Sequence, residues 1–592
     1  MYSIRRTAMP ATASGKIKIR IVHQPQKNGD IYVLERRTLY DPVKKYNKVL
    51  SSRIISKIPK GEDTPVPTRP KRSHAEKVSN SKPVSTAVTA SRSKVGMMDI
   101  ISHIGDASGI DDAVYGNTDT GTAQKILSLA RYLLATNGQS LPGILTWQLT
   151  HPLPYEDGIS EDVYHDLFER VGRDESLQQS FFLSRCAGIR DKAVLAYDST
   201  TISTCSGSLP EARYGFNKAH DGLQTIKVLT LYSIETRQPV AFTKQPGNLP
   251  DVITIENALK QLDLLGLSNA EIVTDNGYYS EQNLADMLHA HFDFITLSKV
   301  SIKWVKKELK AHADEFRQTT SVCPYDTNIH GITVTLMHDF SCTRKYASRK
   351  KGIHEGETET FTRRIYLHLF FNPTKRVEED VAFDHNLLEL KSQLEEGTSV
   401  EELSASGQEK AAKYLQIRHY GSKTTVVFNE KAIRERKEEH GYFALVSNCE
   451  KEPFECLRKY RRRETIESFF EAGKQHADGT RSRVWNTDTL RGRLFVQFVS
   501  LCYYEYLSEA IREMKKPLGV ENGDPEHDQK ENLKLESRLK SWLGNTPLYL
   551  ILQWFDTVEE VRISSKLREK RWTTEITKRD RLFLQKLGVA ER

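Results

Sequence analysis

Between residues 192 and 300 the chain alternates short β-rich runs with amphipathic helical text, and this alternation constrains its fold most. KAVLAY, GLQTIKVLTLYS and PVAFTKQ are strand-like runs separated by turn residues. DVITIENALKQLDLLG follows as an amphipathic helix, then AEIVTD (strand), SEQNLADMLHA (helix) and FDFITLSK (strand). Three strands, a helix, a strand, a helix and a strand specify an α/β domain on a mixed sheet.

The 592 residues have room for several domains around this one. Residues 1–56 read as a small basic β module, because KIKIRIV, IYVLERR and KVLSSRI alternate with period two. The start is basic and poor in acids, as in a transit peptide, but lacks the apolar stretch of a secretory signal. Residues 57–95, rich in Pro, Ser, Thr and Lys, read as a flexible linker. Its TRPKR (68–72) is either solvated or a DNA minor-groove arm.

Residues 96–190 read as a helical module, with ISEDVYHDLFERV starting at a Ser160 cap. It is either a plain helical bundle or a DNA-end-binding or dimer module. Residues 191–300 form the first part of the α/β core, and 301–450 a β-rich insertion with a helical patch near 375–415. Residues 451–515 return to the core as helix, and 516–592 form a C-terminal helical region.

Composition narrows the function classes. No apolar run is long enough to span a membrane. A net charge of +8 permits a polyanionic partner without requiring one. Seven cysteines without a C-x-x-C pair argue against a zinc knuckle and fit a reducing cytoplasm. The histidines show no metal-binding spacing such as H-E-x-x-H, so none is assigned.

Two aspartates stand where α/β domains place chemistry. Asp198 ends KAVLAY, and Asp275 ends EIVT before the tight turn Asn276-Gly277. Either alone is more often a turn former. A third carboxylate lies in KYRRRETIESFFEAGKQ (459–475). As one helix at about 100° per residue, with Tyr460 at zero, Arg463 falls near −60°, Glu467 near −20° and Lys474 near −40°. Ile466, Phe469 and Phe470 then occupy an adjoining face suited to packing. The stripe is a carboxylate among cations and a phenol, or a solvated face with Arg463–Glu467 pairing. Three carboxylates from separate elements are what Mg²⁺ needs in phosphoryl transfer.

At these residues the sequence resembles the DDE transposases of bacterial insertion sequences, in the branch with a Y-x2-R-x3-E-x6-K signature. Tyr460, Arg463, Glu467 and Lys474 match that spacing, supported by AYDST, TDNGYYSEQNL and PGNLPD (246–251). The resemblance covers about 192–300 and 455–510. It implies a ribonuclease-H-like catalytic core, a mixed five-stranded sheet with helices, interrupted by the β-rich insertion. Asp198 would lie on the first strand, Asp275 after the fourth and Glu467 on a later helix. These three would be catalytic and would bind Mg²⁺, two ions, with Mn²⁺ able to substitute. Tyr460, Arg463 and Lys474 would contact DNA.

The implied partner is double-stranded DNA, as transposon ends and target, held by a homodimer in a paired-end complex. The implied setting is a bacterial cytoplasm, at the nucleoid. The implied activity is cleavage at terminal inverted repeats followed by strand transfer, in cut-and-paste transposition. A ribonuclease-H-like nuclease without strand transfer and a domesticated DNA-binding protein are the alternatives. Asn248 and Asp251 match a family loop, with Asp251 otherwise an N-cap for a helix starting at 252. Trp304 would be a base wedge or a core residue.

Overall fold

The computed structural model describes residues 17–41, 45–67, 89–189, 193–345, 354–420, 423–477, 479, 481–516, 527–564 and 569–590. The TRPKR segment lies outside them. The chain forms two compact units, Met1–Ile189 with Ser199–Asn248 and Ile466–Arg592, and Arg190–Asp198 with Leu249–Thr465. It is a mixed α/β protein.

The second unit is built on a mixed sheet. Val194–Thr204 enters it through its first residues and lies parallel to Glu271–Thr274, which lies parallel to Asp293–Ser298. Every residue of Glu271–Thr274 is buried, as expected for a parallel strand covered on both faces. Tyr442–Ser447 then pairs antiparallel with Asp293–Ser298, and the long hairpin Asp326–Thr343 and Thr358–Phe371 continues outward. The sheet is therefore not the five-stranded one expected. Strands from 301–450 extend it, because most apolar residues of IYLHLFF and YFALVS are buried and need neighbours on both faces. The insertion also carries helices, two of them over the patch near 375–415 and one beyond it. Pro373–Glu395, Ala405–Tyr414 and Glu430–Lys437 are helices, and Leu394, Leu403, Ala411, Leu415 and Val426 form a small core of their own.

The first unit opens with an antiparallel sheet of Lys18–Pro25, Ile31–Asp41, Tyr46–Ile58 and Val66–Pro67. Helices follow, among them Thr120–Ala135, capped by the Asp119 side chain on the Thr122 amide. Ser160 does precede Glu161–Arg173, although its hydroxyl makes no capping bond. The long helix Thr487–Lys515 crosses Glu161–Arg173 at two glycines. A Cβ at Gly172 would stand 1.8 Å from the Asp488 carbonyl oxygen, and one at Gly492 would stand 1.9 Å from that of Phe168. Only glycine at both positions allows backbones this close.

Ser199–Thr204, the later part of the shared strand, has Arg481–Ser482 parallel beside it. Gln224–Ser233 and Gln238–Pro246 form an antiparallel pair in the same unit. The C-terminal region is not wholly helical as expected. Glu559–Ser564 and Glu569–Thr573 make a sheet with Thr89–Lys94, whose residues fall at the end of the expected linker.

Candidate active site

Asp198 sits in mid-strand rather than at a strand end. The β-branched residues of STTIST carry the strand on to Thr204. Its neighbour Tyr197 is buried and donates to the Thr254 carbonyl at 3.2 Å. Asp275 directly follows Glu271–Thr274 and accepts the Asn276 amide at 2.7 Å, which opens the short turn Asn276–Tyr278. Asp251 is not the N-cap that its sequence suggests. Pro250 leads into a 3-10 turn, Asp251–Ile253, and the α-helix begins at Ile255.

Both aspartates meet side chains from one segment. Arg463 Nη1 donates to Asp198 Oδ2 at 2.8 Å, with the two side chains only 8% and 14% exposed. Tyr460 Oη donates to Asp275 Oδ1 at 3.1 Å. The Arg463 guanidinium also lies 5.5 Å from the centre of the Tyr460 ring. Burial, then the Asp275 charge, raises the Tyr460 hydroxyl well above the ordinary phenol range, which keeps it a donor.

The single helix expected over 459–475 is in fact two, Pro453–Arg462 and Glu464–His476. At Arg463 the amide bonds the Tyr460 carbonyl at 2.9 Å, three residues back, which tightens the turn. Thr465 Oγ1 donates to the Arg462 carbonyl at 2.8 Å, a side-chain bond that competes with helical pairing. The helix is thus interrupted at Arg463, although the backbone there stays in the right-handed helical region.

The first of these helices is pinned by partners that sequence spacing could not reveal. Lys459 Nζ pairs with Glu271 at 2.8 Å and with Glu450 at 3.1 Å, and Arg461 with Asp326 at 3.0 Å. Burial raises the Glu271 carboxyl above its ordinary value, with Lys459 opposing. Trp304 is half-buried, donates to Glu281 at 3.2 Å and packs 4.6 Å from the His338 ring.

Glu467 and Lys474 belong to the other unit. Glu467 is exposed on Glu464–His476, while Ile466, Phe469 and Phe470 are buried on that helix, as their spacing suggests. Lys474 is half-buried. Burial, then the charge of Lys218, holds its ammonium below the ordinary lysine value. Lys218 Nζ donates to the Ser199 carbonyl at 2.9 Å. Lys218 thus lies near Lys474 and on the Ser199 carbonyl, within one unit. The sequence singled out no such residue, because its loop is far from Lys474 in the chain.

Asp198 and Asp275 each offer carboxylate oxygens, the kind of donor that a hard divalent cation takes. The Asp198 carboxylate already has positive charge beside it, from Arg463. His289, Cys342 and Glu359 also bring three possible ligand atoms within 4.8 Å of one another. There, however, Glu359 pairs with Arg344 at 3.2 Å, and burial raises the Cys342 thiol.

Two carboxylates, one on and one beside parallel strands, are thus each met by a side chain of a single segment, a phenol and a guanidinium. Residues 189–368 match the family model of the transposase DDE domain. That match supports a DDE transposase. It spans Asp198 and Asp275 and ends before Tyr460, Arg463, Glu467 and Lys474. No curated protein matches the chain. Among solved structures, one described as a piggyBac transposase synaptic complex with hairpin DNA is similar at a TM-score of 0.34 and 10% identity. The similarity covers 77% of this chain and 81% of that one.

Proposed function

We propose that this chain is a transposase that binds the terminal inverted repeats of an insertion sequence and carries out cut-and-paste transposition. Asp198, Asp275 and Glu467 are its catalytic carboxylates on a ribonuclease-H-like core. The observation that carries this reading is the double engagement of Asp198 and Asp275 by Arg463 and Tyr460. Mg²⁺ held by the three carboxylates would supply Lewis acidity at the scissile phosphate.

The chain's own residues do the rest. Arg463 balances the Asp198 charge in the resting protein and takes a phosphate oxygen when DNA arrives. Tyr460 orients the Asp275 carboxylate through its hydroxyl. Lys474, with Lys218 near it, holds the DNA backbone, where two cations crowded together favour an anion. The same reading includes a homodimer on paired DNA ends and action at the bacterial nucleoid. No helix among the described residues is long and apolar enough to cross a membrane.

The test is an end-joining assay. The chain is incubated with linear duplexes carrying the DNA that flanks its coding region, a supercoiled plasmid and Mg²⁺. Covalent joining of those ends to the plasmid is the expected result. Cleavage without joining would reduce the activity to that of a nuclease, and neither product would remove the proposal.

A further inference from the structure

Residues 18–67 carry 11 Lys and Arg against 5 Asp and Glu, a net of +6 in a chain whose total is +8. So a segment of about fifty residues holds most of the excess charge, and it lies far from the carboxylates in sequence. Its four strands arrange this charge by face. Arg20 stands directly opposite Arg36, which stands opposite Ser52, while Lys18 is opposite Thr38 two pairs along, on the same face. Side chains directly opposite share a face, so Lys18, Arg20 and Arg36 form one cationic patch. Like charges in such a position repel.

Among the described residues no acid relieves that repulsion. Arg36 reaches only neutral acceptors, Ser52 Oγ at 3.4 Å and Gln24 Oε1 at 3.3 Å. Among the described residues no carboxylate pairs with Lys18, Arg20, Arg36, Lys48 or Arg53. Two nearby acids are used elsewhere, Asp30 on Lys57 at 3.3 Å and Glu35 on Arg37 at 3.8 Å. The opposite face is anchored to the helices, through Arg37 with Asp106 at 3.9 Å and through Leu39 beside Gly116. Lys18 and Arg20 are exposed and Arg36 partly so.

We infer that this face of the N-terminal sheet is a second binding surface for duplex DNA, contacting the phosphate backbone without reading sequence. It rests on the proposed transposase function for the choice of DNA as the polyanion. Duplex DNA presents one negative charge per about 1.7 Å of helix axis, so a rigid two-strand row of cations meets several phosphates at once. Guanidinium groups suit phosphate oxygens through paired donors. Contacts of this kind fix position on DNA and leave sequence to other groups. The surface therefore serves target or flanking DNA, beyond the terminal repeat.

The experiment uses the full chain and the double variant Arg20→Ala/Arg36→Ala. Fluorescence anisotropy with a short duplex of arbitrary sequence is recorded across roughly 50 to 200 mM salt. The expected result is a slope of log affinity against log salt smaller by about 1.8, or 0.9 for each lost phosphate contact. Arg20→Lys/Arg36→Lys should recover most of that slope, which separates charge from folding. End cleavage at saturating DNA should stay at the wild-type rate. An unchanged slope in the alanine variant overturns the inference. So does a lost slope that appears with single-stranded RNA or anionic vesicles and not with duplex DNA. Failure of the wild-type chain to cleave would instead count against the transposase reading, with the slopes still interpretable.

Discussion

Arg463 and Asp198, 265 residues apart in sequence, form an ion pair at 2.8 Å with both side chains largely withdrawn from water. Removing one partner of such a pair strands the other charge, at a cost of about 3 kcal/mol. Arg463→Ala should therefore lower the melting temperature clearly, and Arg463→Lys less. Mg²⁺ should raise the melting temperature of Arg463→Ala more than that of wild type, since no guanidinium then competes for Asp198. Equal gains, measured by calorimetry, would mean that Asp198 does not meet the cation.

Tyr460→Phe deletes one hydroxyl, and with it the bond to Asp275 at 3.1 Å. The stability change should be small, about 1 kcal/mol. The cleavage rate should fall further than that figure explains, because the carboxylate loses its orienting donor. A kcat at the wild-type level, with the same Mg²⁺ dependence, would leave Tyr460 a structural residue.

The strands were readable from the sequence because burial on both faces leaves continuous apolar runs, as in KAVLAY and EIVT. Asp275 follows its strand as its turn signal indicates, whereas Asp198 lies within a strand that Thr and Ile prolong. The break at Arg463 was not readable. At that break Thr465 bonds the Arg462 carbonyl and Arg463 bonds Asp198, and the second is a contact across the chain. The same limit hid Lys218, Glu271 and Glu450. Spacing reports the neighbours along one element and says nothing of register between distant strands.

Lys218 and Lys474 give a prediction in salt dependence. Each single alanine variant should flatten the slope of log affinity against log salt on end DNA by about 0.9. Lys474 is half-desolvated, so its loss should also relieve unfavourable burial and leave stability unchanged or slightly higher. A slope equal to that of wild type, from anisotropy titrations on Lys474→Ala, would make this lysine an ordinary helix residue.

Glu505 gives a pH prediction outside the site. Its carboxyl is buried, accepts from Tyr232 at 2.9 Å, and is pushed up to about 7 from 4.5, chiefly by burial. The folded-state value is raised, so its contribution to stability is full below about pH 4.5 and is lost as pH rises through about 7. The loss is on the order of 3 kcal/mol by linkage. Glu505→Gln should remove this slope and melt higher than wild type at pH 8. Parallel melting-temperature profiles for the two proteins between pH 5 and 8 would show that Glu505 does not titrate this way.

The most direct measurement is single-turnover cleavage of a duplex carrying the DNA that flanks the coding region. It is run with and without Mg²⁺ on wild type and on Asp198→Ala, Asp275→Ala and Glu467→Ala. The expected result is Mg²⁺-dependent cleavage by wild type and none by any of the three variants, with DNA binding retained in all. Removing a carboxylate lessens repulsion toward phosphate, so binding has no reason to fall. Cleavage at the wild-type rate by any one variant, with Mg²⁺ present, would contradict the assignment of that carboxylate to the site.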